Sequence, residues 1–391
     1  MSASQLASEK ARPTVPEAVV AGHVSLDVVP ALRGALRLEP GRLVVVGPAV
    51  ISTGGAVANV GVTMHRLGVG VGLSARVGAD LFGRAVLDSL TALDPRLADG
   101  IVVSTHEVTS YTIVINPSGV DRSFLHCPGA NEGFSTDDVR YESLAGARVF
   151  HFGYPPLMPL MYRNGGAQLR EMFARVQRAG GATSLDLCEP DPGSEAGQVD
   201  WEEVLTRALP FVDVFAPSID ELLFMLDRPA HERLLDGGSL PSLVDHSRLA
   251  ELGQHLTGMG VAVVALKLGD QGLYLRTTRD SVRMDEFCRR MGLEAQAWHD
   301  RELLSPCFKP QTIGGTTGAG DATVAGLLAA LLRGAGPSDA ATIATAVGAF
   351  SVEGPDPASA VPALEHVSQR LADGWSRLPV LLELPADLIC N

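Results

Sequence analysis

TIGGTTGAGDATVAGLLAALL (312–332) runs from a short β-prone stretch through a glycine-rich turn into an almost wholly apolar helix. The turn sets Gly318, Ala319 and Gly320 at the helix N-terminus, where unpaired backbone N–H groups and the positive end of the helix dipole form an anion site. Asp321 falls in the first turn of the same helix. A phosphate bound there repels a carboxylate, so Asp321 reads as the acceptor of a proton from a hydroxyl that attacks a phosphoryl group. For G-A-G-D in isolation, a plain cap on a buried helix is the alternative.

A second glycine turn lies in ISTGGAVANVGVTMHRLG (51–68), where Gly54 and Gly55 precede a helix carrying Asn59. Adjacent glycines let a ligand lie against the backbone, and the Asn59 amide both donates to and accepts from sugar hydroxyls unless it is satisfied internally. Asp27, at the end of the first strand, offers two carboxylate oxygens to a pair of hydroxyls, at a strand end of the kind where open α/β sheets hold ligands. A solvated turn aspartate is the other reading. In PSIDELLFML (217–226), Glu221 suits Mg²⁺, which takes few carboxylates and keeps its water, or else complements a helix dipole. In VVALKLGDQGLYLRT (263–277), Gly269 and Gly272 allow a nucleotide to pack on the turn, or make an ordinary hairpin.

Around these motifs, short β-branched runs alternate with helical patterns, the signature of a doubly wound, mainly parallel sheet with helices on both faces. Strands are expected at 19–29, 71–78, 148–154, 182–188, 212–217, 261–269 and 272–277. In the helix over 167–180, Leu169, Met172, Phe173 and Val176 share one face and Gly180 supplies the stop. TSYTIVINPSGVDRSFLHCPGAN (109–131) breaks the alternation and reads as an antiparallel hairpin around Asn116-Pro117-Ser118-Gly119. The run 41–52 is expected to pair with it, forming a small sheet that closes over a ligand. Residues 277–310 are charged and irregular, and read as an insertion with its own helix or as a functional loop.

The 391 residues carry a net charge of −14, which argues against a nucleic-acid partner, since phosphate-backbone binding needs a basic face. Five scattered cysteines without a C-x-x-C pair point to reduced thiols and a cytoplasmic protein. Residues 1–18 read as a flexible polar tail without the apolar core of a signal peptide. No apolar run reaches the roughly 20 residues of a membrane-spanning helix. Walker, zincin, nucleophile-elbow and dinucleotide fingerprints are missing from the sequence, which weakens the P-loop, metalloprotease, hydrolase and oxidoreductase readings. His126 and His151 lie in strand-like runs and read as core or lid histidines.

In their order along the chain, GGAVANVGVTMHRLG, the hairpin ending in CPGAN, the LGDQG turn and GTTGAGDATVAG resemble the ribokinase-like (PfkB-type) carbohydrate kinases over residues 19–365. The resemblance implies a kinase domain over 19–375, with lid strands in about 30–52 and 105–128, followed by a C-terminal extension at 376–391. It also implies an ATP- and Mg²⁺-dependent transfer to a hydroxyl of a neutral sugar or nucleoside. By that resemblance Asp321 is the base, and the Gly318, Ala319 and Gly320 amides are the anion hole. Asp27, Gly54, Gly55 and Asn59 match the substrate side. Ser218, Glu221, Lys267, Gly269, Gly272 and Thr317 match the nucleotide side, with Glu221 toward the metal. Three positions depart from the family pattern. Gly315-Thr316-Thr317 stands for D-T-T, which implies K⁺ independence; Ser218 replaces the amide of N-x-x-E; and Asp186-Leu187-Cys188-Glu189-Pro190-Asp191 lacks the arginine of D-x-N-x-R, which disfavours a substrate carboxylate. Lid strands pairing between subunits imply a homodimer. A sugar- or nucleotide-binding regulatory protein of the same fold is the alternative function.

Overall fold

In the computed structural model of the chain, residues 15–32, 39–116 and 123–390 are described. The core of the fold is a nine-stranded sheet in the order β13-β12-β11-β10-β9-β8-β1-β4-β5. Its strands are β1 (Ala18–Gly22), β4 (Val71–Gly78), β5 (Ile101–Ser104), β8 (Val149–Gly153), β9 (Ala182–Asp186), β10 (Val214–Phe215), β11 (Val263–Lys267), β12 (Leu273–Thr277) and β13 (Glu302–Ser305). From β11 to β5 neighbouring strands run parallel, and β12 and β13 turn back antiparallel at one edge. A parallel sheet has to be covered on both faces, and its strands are accordingly Val- and Leu-rich and buried. One face packs on the Gly55–Arg66, Ala319–Leu332 and Pro337–Val352 helices, the other on Pro159–Arg178, Trp201–Ala208 and His246–Gly258. The Ala319–Leu332 helix is enclosed on all sides, with Val324, Leu327, Leu328 and Leu331 buried, as its uniform apolarity demands.

A second sheet, order β3-β2-β6-β7, stands off the first: β2 (Ser25–Pro30), β3 (Ala49–Gly54), β6 (Tyr111–Ile115) and β7 (Ser123–Cys127). The single strand expected at 19–29 is therefore two strands in two sheets. At the break, the buried Asn131 amide takes up both backbone groups of Val24: Oδ1 accepts from its N–H at 3.2 Å, and Nδ2 donates to its carbonyl at 2.9 Å. That satisfies polar groups which leave one sheet before joining the other. The hairpin exists as β6–β7, its turn residues 117–122 lying outside the described part. The partner expected for it is corrected: β3 pairs with β2, and β2 stands between β3 and the hairpin. Within the run 41–52, only residues from Ala49 onward are extended in the sheet.

The 277–310 segment contains helix Ser281–Met291, the short helix Ala295–Trp298 and the edge strand β13. The segment thus has helices of its own, and its strand completes the sheet. The C-terminal residues lie along that edge, where Cys390 N–H donates to the Leu304 carbonyl at 2.8 Å. This covers a strand that would otherwise present unpaired backbone groups. The tail expected over residues 1–18 lies outside the described residues up to position 14, and β1 already begins at Ala18. Among the described residues no helix is long and apolar enough to cross a membrane.

Candidate active site

Three parallel strands deliver polar groups to one end of the sheet: Tyr154 follows β8, Asp186 ends the neighbouring β9, and Lys267 ends β11, on the far side of β10. Gly153 and Asp186 pair in register, and carboxyl ends of parallel strands are where open α/β sheets hold ligands. Lys267 Nζ donates to both Asp186 oxygens, at 2.6 and 2.8 Å. Burial opposes the ammonium, but the carboxylates of Asp186, Glu221 and Asp321 outweigh it and hold Lys267 protonated, above an ordinary lysine. Burial pushes the Asp186 carboxyl above an ordinary aspartate, against the pull of Lys267.

Over this pair sits the N-terminus of the Ala319–Leu332 helix. Gly318 is its N-cap, with φ of 74° and no side-chain cap, so the donors of the first turn are not capped by a side chain. Only glycine suits the position, because a Cβ would also meet Pro357 at 2.4 Å. At Gly320 a Cβ would lie 3.6 Å from Lys267 Nζ, so the ammonium borders the same turn. Thr317 immediately precedes it. Helix terminus and ammonium thus stand side by side, an arrangement chemically suited to an anion.

Asp321 is 2% exposed. Asn59 Nδ2 donates to its Oδ2 at 2.8 Å, and the Tyr154 hydroxyl lies 2.9 Å from Oδ1 and 2.8 Å from Oδ2. Burial raises the Asp321 carboxyl above an ordinary aspartate, while Lys267 and the bonds from Asn59 and Tyr154 act the other way. One of the two Asn59 N–H groups is thus taken up by Asp321.

On the lid side, Asp27, Thr112 and His126 stand in register across β2, β6 and β7. Asp27 accepts from Ser25 Oγ at 2.9 Å, and Thr112 Oγ1 lies 3.0 Å from His126 Nδ1. Burial raises the Asp27 carboxyl, against the hydrogen bonds from Ser25 and Thr112. The two glycines at the start of the Gly55–Arg66 helix admit these side chains: a Cβ on Gly54 would meet Asp27 Oδ2 at 2.2 Å, and one on Gly55, at φ of 83°, would meet His23 Nδ1 at 2.5 Å. The His23 ring in turn lies 5.1 Å from His126 and 6.0 Å from Tyr154. A polar strip therefore joins the lid to Asp321.

Ser218 and Glu221 form a capping box at the Ile219–Leu226 helix: Ser218 N–H donates to Glu221 Oε2 at 2.7 Å, and Glu221 N–H to Ser218 Oγ at 3.3 Å. A backbone β-bridge pairs Ser218 with Lys267, which brings the box beside that lysine. Gly269 and Gly272 lie in the β11–β12 turn, where a Cβ on Gly272 would meet the Ser305 carbonyl of β13 at 2.2 Å. Among the described residues no group of three or more His, Cys, Asp or Glu side chains is arranged to hold a metal. A cavity of about 210 Å³ lined by Val19, His65, Leu73 and Arg96 lies at the amino-terminal ends of β1 and β4, apart from all of these residues.

Sequence reasoning did not single out Tyr154, His23 or the Asp186–Lys267 pair as such. The H-F-G-Y run is visible as a strand end, but only the fold shows the tyrosine meeting an aspartate 167 positions away.

The chain is 28% identical over 322 residues to "Fructokinase-1" of Zea mays, covering 80% of this chain and 82% of that one. It is 25% identical over 320 residues to "Fructokinase" of Vibrio alginolyticus, covering 80% and 83%. Among solved structures, a fructokinase with bound ATP from Xylella fastidiosa superposes with a TM-score of 0.68 at 20% identity over 92% of this chain and 99% of that one. The Arabidopsis thaliana ribokinase complexed with ribose and ATP gives 0.67 at 20% identity over 91% and 99%. The sequence profile described as "pfkB family carbohydrate kinase" matches residues 16–364. The fold is ribokinase-like, and the chain belongs to the pfkB family and is a carbohydrate kinase.

Proposed function

We propose that the protein transfers the γ-phosphoryl group of ATP to a hydroxyl of a neutral sugar or nucleoside, with Asp321 as the general base. The observation that carries this reading is a carboxylate buried at the foot of a helix N-terminus that no side chain caps and that Lys267 borders. Asp321 accepts the proton of the attacking hydroxyl, and the Gly318, Ala319 and Gly320 amides face the charge that spreads over the transferring group. Lys267 adds a fixed positive charge, and the turn at Gly269 and Gly272 faces the nucleotide. Thr317 and Ser218 flank the phosphates. Asp27, Gly54, Gly55 and Asn59 form the sugar side.

The donor set fits Mg²⁺ held chiefly by phosphate and water, with Glu221 as its single protein carboxylate, since this ion needs no cage of protein ligands. When bound, the ion neutralises phosphate charge. Lys267, at the end of β11, is engaged by Asp186, which favours a neutral substrate over a sugar acid or sugar phosphate. Fructokinases among the relatives make D-fructose the first sugar to try. ADP release should be followed with D-fructose, D-ribose, a sugar acid, a sugar phosphate and a nucleoside, with and without K⁺. Turnover confined to a neutral acceptor and indifferent to K⁺ is expected; turnover only with a charged acceptor would sink the reading.

The pH profile supplies a second test. Asp321 has to be ionised to take the proton, so kcat/KM should fall as pH drops through its pKa. Buried beside Glu221, with Lys267, Asn59 and Tyr154 opposing, that pKa lies above an ordinary aspartate. The acid limb is therefore expected above about 4, the unperturbed value. A limb at or below that value would contradict the assignment.

The lid's edge strands leave Val50, Ile51, Phe124 and Leu125 more than half exposed. Apolar edge strands invite pairing with another copy, which supports a homodimer through the lid. Light scattering should return twice 41.0 kDa for the wild type and a single chain for I51D/L125D. A monomeric wild type at working concentration would refute it.

A further inference from the structure

Tyr154 leaves β8 with φ of 68°, a left-handed conformation that is uncommon for a bulky residue. Its N–H donates to the Asp186 carbonyl at 3.3 Å, and the buried Pro155 and Pro156 follow. The chain is thereby turned so that the phenol enters the site. One phenolic proton spans both Asp321 oxygens, at 2.9 and 2.8 Å, the distance that a general base needs from the hydroxyl it deprotonates. The phenol thus stands where a substrate hydroxyl has to stand.

An independent observation lies beside it. His23 is 2% exposed, and among the described residues neither of its ring nitrogens has a hydrogen-bond partner; Nε2 of His126 also lacks one there. Buried polar atoms without partners are costly and uncommon. The His23 ring contacts both the Tyr154 and the His126 rings, so these atoms lie alongside the phenol and toward the lid. Burial keeps both imidazoles neutral, able to donate at one nitrogen and accept at the other.

Resting on the kinase reading above, we propose that the Tyr154 hydroxyl occupies the place of the substrate hydroxyl and keeps water off Asp321. A polyol displaces it by bonding the unpartnered nitrogens of His23 and His126. Tyr154 is a gate, acting through Asp321, and it discriminates against an acceptor as small as water. Without it, water can fill the vacated volume, give its proton to Asp321 and attack the γ-phosphorus. The bond from that phosphorus to the β,γ-bridging oxygen then breaks, yielding ADP and phosphate.

The test uses the full chain with Tyr154→Phe, which removes only the hydroxyl, and Tyr154→Asn, whose residue type tolerates the left-handed backbone. ADP release from Mg·ATP is measured first without sugar, then with D-fructose or whichever panel acceptor the wild type uses. Sugar-independent ADP release should rise about tenfold and the acceptor KM should fall about tenfold, the scale of one hydrogen bond to a charged group. Adding Asp321→Asn should abolish the gained hydrolysis. A folded Y154F enzyme with unchanged basal release and an unchanged or higher KM overturns the gate, as does failure of both variants to fold, which assigns Tyr154 to the scaffold. A wild type that phosphorylates no panel member defeats the neutral-acceptor reading instead, and the sugar-free measurement still decides the gate.

Discussion

Asp321→Asn should lower kcat by about 10² to 10⁴, the usual scale for losing a general base, while ATP affinity stays within a few-fold of wild type. The asparagine keeps the volume and one oxygen to accept from Asn59 or Tyr154, so the packing of the Ala319–Leu332 helix is preserved. What disappears is the carboxylate proposed to take the proton of the attacking hydroxyl. Stability should move the opposite way. The folded-state pKa of Asp321 is raised by burial, so the stability it contributes is fully present below its unfolded value and is lost as pH rises through the folded one. At neutral pH the ionised carboxylate therefore opposes folding, and the asparagine variant should melt higher than wild type. Steady-state ADP release, calorimetric titration with ATP and a thermal melt check the three parts. An active variant would remove Asp321 from the mechanism; an inactive variant that melts lower and no longer binds ATP would mean that the site had collapsed.

The parts of this site that were readable in the chain are those whose chemistry is local. G-A-G-D followed by an apolar helix states a helix terminus and a carboxylate within a few residues, and the structure has that order. The alternation of Val-rich runs with helices likewise gave the doubly wound sheet. Long-range geometry was not readable. Asn59 could be read as a ligand group, but its partner is Asp321, 262 positions away. The strand at 19–29 gave no sign of dividing between two sheets, because the device that permits it, the Asn131 amide bonded to Val24, comes from more than a hundred residues further on. Tyr154 was hidden for a different reason: its backbone sits in a region that a tyrosine's propensity does not predict, and the phenol's direction follows from that backbone.

The charged 277–310 segment resisted reading for an electrostatic reason that leads to the second large effect, in stability. Its arginines look like solvated surface in the sequence, yet Arg283 and Arg290 both reach Asp213, which is fully buried next to β10. Asp213 Oδ1 accepts from Arg283 at 2.5 Å and from Arg290 at 2.9 Å, and Oδ2 accepts from Thr183 N–H at 2.8 Å and from its hydroxyl at 3.1 Å. The Ser281–Met291 helix is thereby tied to β9, the strand that ends in Asp186. Asp213→Asn keeps the volume and the Thr183 contact but leaves two largely buried guanidinium groups without their shared counter-charge. Removing one partner of such a cluster costs about 3–5 kcal/mol, a large part of the roughly 5–15 kcal/mol that holds a domain folded. Denaturant unfolding should show the midpoint falling at constant m, with kcat per folded molecule little changed. Replacing Asp213, Arg283 and Arg290 together by Leu, Met and Met should recover most of the loss, because no charge is then left buried without a partner. A single variant as stable as wild type would show that water reaches these arginines in solution, and that the Ser281–Met291 helix is held by its apolar contacts through Met284, Phe287 and Met291.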